Sequence, residues 1–283
     1  MYNFKQPFYT IYVYELSAGE IWVNDVPLLR WMGPQTKDGM YNGAIPINNA
    51  VLQNGTHELT CKLKPRYDYK TFNKSESQDI YDIGFDCREV SDLRTKIQIA
   101  PNIENPYGKW NEQEQRFINE TLKDLPEYIT KTKFEVTELP FVLDGWQNSV
   151  DVSKIKEEEL FKEVLSSYYQ IHAIMNSHNA AKFLELSKEK MKLQEQAFYF
   201  SEDQKKGFLN EVTKLFDQKL EIMPLDPTKL RLDIMGYGKL VRLVRLDGSA
   251  ALQFKSPDPK NQGNIEFDTK LHMKTENQGL SII

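Results

Sequence analysis

Residues 48–65 read NNAVLQNGTHELTCKLKP, and this stretch decides how the first half of the chain folds. Asn54-Gly55 is a strong turn signal, because both residues tolerate the positive φ that a tight reversal demands. After it, Glu58-Leu59-Thr60-Cys61-Lys62-Leu63-Lys64 alternates polar and apolar with a period of two. Successive strand side chains point to opposite faces, so Leu59, Cys61 and Leu63 are expected on a core and Glu58, Thr60, Lys62 and Lys64 in solvent. The half is therefore antiparallel sheet.

Working towards the N-terminus, residues 8–16 (FYTIYVYEL) are rich in aromatic and β-branched side chains, which suit a pleated, half-buried surface. Ser17-Ala18-Gly19 punctuates the run, residues 20–23 (EIWV) resume it, and Asn24-Asp25 turns it into residues 26–31. Short aromatic runs broken by Gly, Asn and Asp mark an antiparallel meander. Towards the C-terminus, residues 80–90 and 93–99 read as further strands, and residues 102–111, with Pro106 and Gly108, as a loop. Phe117, Ile118, Leu122 and Leu125 give residues 112–125 the spacing of a short amphipathic helix. Residues 134–143 read as a last strand interrupted by Pro140, with a turn at Asp144-Gly145. Seven or eight strands suit a sandwich.

Val23-Asn24-Asp25 followed by Asn49, Leu52, Gly55, Leu59 and Pro65 resembles a pattern of β-sandwich modules appended to bacterial secreted and surface proteins. The likeness covers about 45 residues. It implies a sandwich that binds sugars, binds proteins or spaces other domains. Trp22, Trp31, Tyr67 and Tyr69 are the candidate sugar-stacking platform, set against core or loop packing as the plainer role.

The second half changes period. Leu160, Phe161, Val164, Leu165, Tyr168, Ile171, His172 and Met175 recur at steps of three and four, which predicts an amphipathic helix. Asp151 or Ser153 is the candidate cap, and Glu157–Glu159 complement the dipole. Asn176 to Asn179 breaks the pattern. A second helix starts near Ala180 and carries Phe183 to Phe198, and Ser201 with Gln204 is a capping box that opens a third. Pro224 and Pro227 end the helical run. Strand patterns follow over residues 229–234, 239–246, 249–254, 265–273 and 280–283, with turns at Gly236-Tyr237-Gly238 and Asp247-Gly248. This α+β order is similar to that of NTF2-like cones, in which a curved sheet wraps helices. The resemblance implies a pocket in which Tyr168, His172 and Asp233 are the residues to test.

The fold class is thus mixed: an all-β, sandwich-like domain over residues 1–148, then an α+β domain over residues 149–283. The boundary lies between Gly145 and Ser153. At 283 residues the chain is long for one core and comfortable for two.

The chemistry is mostly one of exclusions. A net charge of −5, with acidic residues interleaved among the lysines, excludes nucleic acid as the main partner. No stretch approaches the ~18 apolar residues of a membrane span. The opening MYNFKQPFYT lacks the order of a secretory signal, so the expectation is cytoplasmic for a complete chain and periplasmic or surface for one that has lost a leader. Cys61 and Cys87 fit neither a disulfide framework nor zinc; buried free thiols are the plain reading, a single inter-strand disulfide the other. The four histidines, 57, 172, 178 and 272, are scattered, and His172 reads as a hydrogen-bonded core residue. Gly236-Tyr237-Gly238-Lys239 lies between strands, without the following helix a phosphate loop needs. Neither a serine nucleophile elbow nor a cysteine with a motif-level His is present. The carboxylate pairs Asp82/Asp86 and Asp226/Asp233 read as solvated charge.

No catalytic residue, metal site or cofactor is expected. The leading expectation is a non-enzymatic protein that binds another protein, of the inhibitor or immunity type that neutralises a toxin. Acidic charge and abundant aromatics motivate it. The alternatives are a cell-envelope carbohydrate-binding accessory protein, through Trp22 and Trp31, and an NTF2-like small-ligand binder or enzyme, through Tyr168, His172 and Asp233. The oligomeric state is open.

Overall fold

The computed structural model describes residues 4–73, 82–104, 109–118, 124–260, 262–276 and 278–283. They form two compact units, Met1–Val142 and Leu143–Ile283. The fold is mixed: antiparallel sheets first, then helices with further antiparallel sheets.

Among the described residues the first unit has ten strands: β1 (Pro7–Glu15), β2 (Ala18–Val23), β3 (Val26–Trp31), β4 (Tyr41–Pro46), β5 (Gly55–Lys64), β6 (Asp82–Glu89), β7 (Asp92–Glu104), β8 (Lys109–Asn111), β9 (Arg116–Ile118) and β10 (Tyr128–Val136). One four-stranded sheet has the order β4-β1-β6-β7 and the other β10-β5-β2-β3, while β8 and β9 pair separately. Asn24 and Asp25 both adopt positive φ, 50° and 61°, which is the backbone a two-residue hairpin between β2 and β3 requires. The Asn24 side chain then ties that turn down, donating to Ala50 O at 2.9 Å and accepting from Glu58 N at 3.2 Å.

Alternation sets the core. Tyr9, Ile11 and Val13 of β1, Ile21 and Val23 of β2, and Leu59, Cys61 and Leu63 of β5 are all buried. Phe85 of β6 meets Phe134 of β10 with ring centroids 5.3 Å apart, so side chains from the two sheets pack on each other. Thr60 departs from the solvent position that alternation assigns to it, being buried as well. Its register partners are Trp22 of β2 and Lys131 of β10, and cross-strand neighbours share a face.

Two local expectations are corrected here. Residues 112–125 do not begin as a helix: Arg116–Ile118 is a strand paired with Lys109–Asn111, and residues 119–123 lie outside the described residues. Pairing overrides the weak helical spacing of so short a segment. The strand placed over residues 134–143 starts and ends earlier, at Tyr128–Val136, and aligns with β5 from Tyr128↔Leu63 to Val136↔Gly55. The loop at 102–111 is described only at its ends, which belong to β7 and β8. A short helix, α1 (Asn48–Val51), stands before Asn54-Gly55 in place of a strand, so no hairpin forms there: Leu52 takes the left-handed φ of 49° and Gly55 already opens β5.

The second unit carries α2 (Glu157–Asn176), α3 (Ala180–Leu186), α4 (Lys188–Ala197) and α5 (Glu202–Asp217), followed by β11 (Leu230–Met235), β12 (Leu240–Arg245), β13 (Leu252–Phe254), β14 (Ile265–Phe267), β15 (Leu271–His272) and β16 (Ser281–Ile282). One sheet runs β11-β12-β15-β16, and β13 pairs with β14. On α2 the buried stripe is Leu160, Val164, Tyr168, Ile171 and Met175. The capping box of Ser201 and Gln204 is present at the start of α5.

Three boundaries move. Asp151 caps not α2 but the 3-10 turn Val152–Lys154, accepting from Ser153 N, and Lys156 stands at the N-cap of α2. The helix drawn from Ala180 to Phe198 is two helices, which meet at Ser187. Ser249 to Phe254 does not pair back along β12: after the single bridge Val244↔Ala250, the Ala250 N–H donates to Glu266 Oε2 at 2.9 Å, and the chain joins β14 instead.

The core of this unit is aromatic. Phe216 of α5 lies 5.1 Å from Phe183 of α3 and 5.4 Å from Phe254 of β13, and Phe254 lies 5.4 Å from Phe267 of β14, all centroid to centroid. The edge-to-face geometry of the Phe216–Phe254 and Phe254–Phe267 pairs is the one the ring quadrupole favours. No helix among the described residues is long and apolar enough to cross a membrane.

Candidate functional site

Outside this aromatic core, α3, α4 and α5 leave a gap against the β14–β15 connection and β16. The gap is a cavity of about 210 Å³. Phe183, Leu184, Met191, Phe208, Val212 and Phe267 supply most of its wall, and Ser187, Lys190, Gln194 and Asp268 supply polar groups. The helices place them by spacing: Phe183, Ser187, Lys190, Met191 and Gln194 recur at three- and four-residue steps and so share a face across the α3–α4 joint. Concave apolar sites with a few polar groups are where proteins hold small molecules.

Lys190 is the unusual member. It is part-buried, and its Nζ donates to the backbone carbonyl of Asp268 at 2.9 Å. Burial and then the nearby Lys270 push its amine down to about 8, against the opposing pull of Asp268. The Asp268 carboxylate is engaged elsewhere. Its Oδ1 accepts from Arg242 Nη1 at 2.8 Å and its Oδ2 pairs with Lys270. Burial alone would raise this carboxyl, but Lys270 and Arg242 outweigh it and hold the group well below the usual carboxylate range.

Behind this strap stand the residues singled out by sequence. Tyr168 is buried on α2, and its hydroxyl donates to the backbone carbonyl of Thr269 at 2.5 Å. Burial raises the Tyr168 phenol well above its ordinary value, so it stays a neutral donor. Asp233 of β11 pairs with Arg231 and, at 3.3 Å, with Arg242 Nη2. Through Arg242 it belongs to the same charge network as Asp268. His172 lies 3.0 Å from Met223 O through Nε2. None of the three lines the cavity. Tyr168 and Asp233 support the Asp268–Thr269 segment that does, whereas His172 is turned to the segment before β11.

In the first unit Trp22 and Trp31 make no common platform. Trp31 is buried, its indole N–H donating to Ser17 O at 2.6 Å. Trp22 carries the Lys62 ammonium 3.6 Å above its ring, so that face is covered. Tyr67 and Tyr69 are exposed.

A second polar cluster joins Ser149, His272 and Glu189. Ser149 Oγ is 2.7 Å from His272 Nδ1, and His272 Nε2 lies 3.3 Å from Glu189 Oε2, without hydrogen-bond geometry for the latter. The order Ser–His–Glu is that of a nucleophile triad. Ser149 is only 4% exposed, however, and is not on the cavity wall. Lys274 and Ser281 also hold Glu189, so the cluster reads as a buried polar tie between α4, β15 and the start of the unit. Among the described residues no group of three or more His, Cys, Asp or Glu is placed to hold a metal ion. Asp226 caps the 3-10 turn Pro227–Lys229, Asp86 is paired with Arg88 and Lys96, and the Asp82 side chain lies outside the described residues.

No match to known proteins was found. Family models, curated proteins and solved structures all fail to match the chain.

No sequence pattern announced Lys190, Ser187 or Asp268. A lysine at one i, i+4 position of an otherwise apolar helix face was the available signal, and it is weak, because such stems commonly snorkel to solvent.

Proposed function

We propose that the second unit is a receptor for a small, mainly apolar organic molecule held in the cavity between α3, α4, α5 and β16. The observation that carries this reading is the cavity itself, about 210 Å³ and walled by phenylalanine, leucine, methionine and valine. An engineered apolar cavity of ~150 Å³ already takes up benzene, so a space of this size suits a single substituted ring or a short branched chain. An NTF2-like arrangement is compatible with this role. What supports it is the order of helices before sheet, with Tyr168 and Asp233 as supports of the wall rather than ligands.

The test uses the full chain labelled with ¹³C at its methionine methyls, Met191 being assigned by Met191→Leu. Toluene is expected to shift the Met191 signal saturably and to leave the exposed Met40 unmoved. A Met191 signal unchanged at the solubility limit of toluene overturns the proposal.

A second reading keeps the first unit as a β-sandwich that binds a protein, of the inhibitor or immunity type. It is supported by the two facing four-stranded sheets, the net charge of −5 and the exposed Tyr67, Tyr69 and Trp110. Repeated pull-downs from the source organism that recover no protein partner overturn it. A carbohydrate role through Trp22 and Trp31 has no support from their placement.

A further inference from the structure

Lys190 lines the apolar cavity, and among the described residues no carboxylate pairs with its ammonium directly. Its Nζ makes one hydrogen bond, to the Asp268 backbone carbonyl. Among the described residues Asp268 is the one acidic member of the wall, and Arg242 and Lys270 occupy its two carboxylate oxygens. Among the described residues, no carboxylate oxygen lies within ion-pair distance of Lys190. An ammonium carries three donors, and the protein uses one of them. A buried charge left without a partner is costly, and a ligand that supplies the partner recovers that cost on binding.

Cations predominate around the polar end of the cavity. Lys190, Lys270 and Arg242 outnumber the carboxylates of Asp268 and Asp233 within this network. Glu189, next to Lys190 in the chain, is turned to His272, Lys274 and Ser281. Burial lowers the amine only to about 8, so the cation still predominates at neutral pH. Ser187 and Gln194 add neutral hydrogen-bonding groups on the same wall.

We propose that the occupant is a small monocarboxylic acid with an apolar body, its carboxylate taken by Lys190 and its body by Phe183, Leu184, Met191, Phe208 and Val212. This rests on the reading of the cavity as a ligand site and names the chemical class it takes. A neutral amide of equal size would satisfy a hydrogen bond but leave the ammonium without a counter-charge. A primary amine would be repelled.

The experiment titrates the methionine-labelled full chain at pH 7 with phenylacetate, phenylacetamide and toluene. Phenylacetate is expected to bind about tenfold or more tightly than phenylacetamide, the margin typical of a charge-assisted over a neutral hydrogen bond. In Lys190→Met the two should bind alike while toluene still binds, and in Lys190→Arg the preference for the acid should persist. Equal affinity for acid and amide in the wild-type chain overturns the inference. If toluene then still shifts Met191, the cavity reading stands and only the acid is lost; if toluene also fails, both fall. Should Lys190→Met lose its helical signal, the wild-type and Lys190→Arg titrations decide the matter on their own.

Discussion

The Lys190 amine donates to the main chain of Asp268 while the Asp268 carboxylate serves two other cations, so the two residues touch without forming an ion pair. Burial, and after it the nearby Lys270, make the folded protein hold this proton poorly. Its amine lies at about 8 when folded and near 10.5 when unfolded. Between those values the unfolded chain binds the extra proton, so this group makes stability rise with pH from about 8 to 10.5, and at pH 7 it costs stability. Lys190→Met should raise the urea midpoint at pH 7 by the equivalent of ~1–3 kcal/mol and lose most of that advantage by pH 10. Urea melts of both proteins, followed by the far-ultraviolet helix signal of the second unit, measure it. A gain that is the same at both pH values would show that packing, not the charge, is responsible.

Gly238 has a φ of +85°, and a Cβ built on it would stand 2.2 Å from Asp151 Oδ1 and 3.1 Å from Ser153 Oγ. The glycine turn between β11 and β12 is thus a packing surface for the Val152–Lys154 turn, whose Val152 N–H donates to Gly238 O at 2.9 Å. Gly238→Ala combines a disfavoured backbone with a clash and should cost about 2–3 kcal/mol. Gly263, which would meet nothing, is the control and should tolerate alanine within about 0.5 kcal/mol. Thermal melts of the pair decide it, and equal melting temperatures would refute the packing role.

Cys61 and Cys87 are both buried thiols outside any disulfide, and burial pushes the Cys87 thiol up to about 12. Thiolate is the reactive form, so neither residue should react with a thiol-specific disulfide reagent in the native protein at pH 8, and both should react in denaturant. Rapid native labelling of either cysteine would contradict the packing of the first unit's core.

How far the sequence carried depends on whether local chemistry or long-range pairing decided each element. The Asn24-Asp25 turn, the period-two face of Leu59, Cys61 and Leu63, the α2 stripe and the Ser201 capping box were all legible, because each is settled within a few residues. Arg116–Ile118 was not, since only its partner Lys109–Asn111 makes it a strand. Ala250 leaves its hairpin for the same reason, drawn to Glu266 across the chain. The cavity was illegible altogether. Lys190 and Asp268 are 78 residues apart, and nothing near either one signals that the other's main chain will meet it.

Tyr168 links the legible part to the part that was not. It was visible as a core-stripe aromatic, and its hydroxyl proves to hold Thr269 O, one residue beyond the carbonyl that Lys190 uses. Removing that hydroxyl leaves a buried carbonyl without its donor, which costs ~1–3 kcal/mol. The loss should also reach the cavity, because Asp268 and Thr269 are both on its wall. Tyr168→Phe is therefore expected to lower stability by that amount and to broaden or shift the Met191 methyl resonance before any ligand is added. His172→Gln, which touches Met223 rather than the wall, should leave the Met191 signal in place. If Tyr168→Phe destabilises the unit yet leaves Met191 unmoved, the phenol is a core hydrogen bond and does not brace the site.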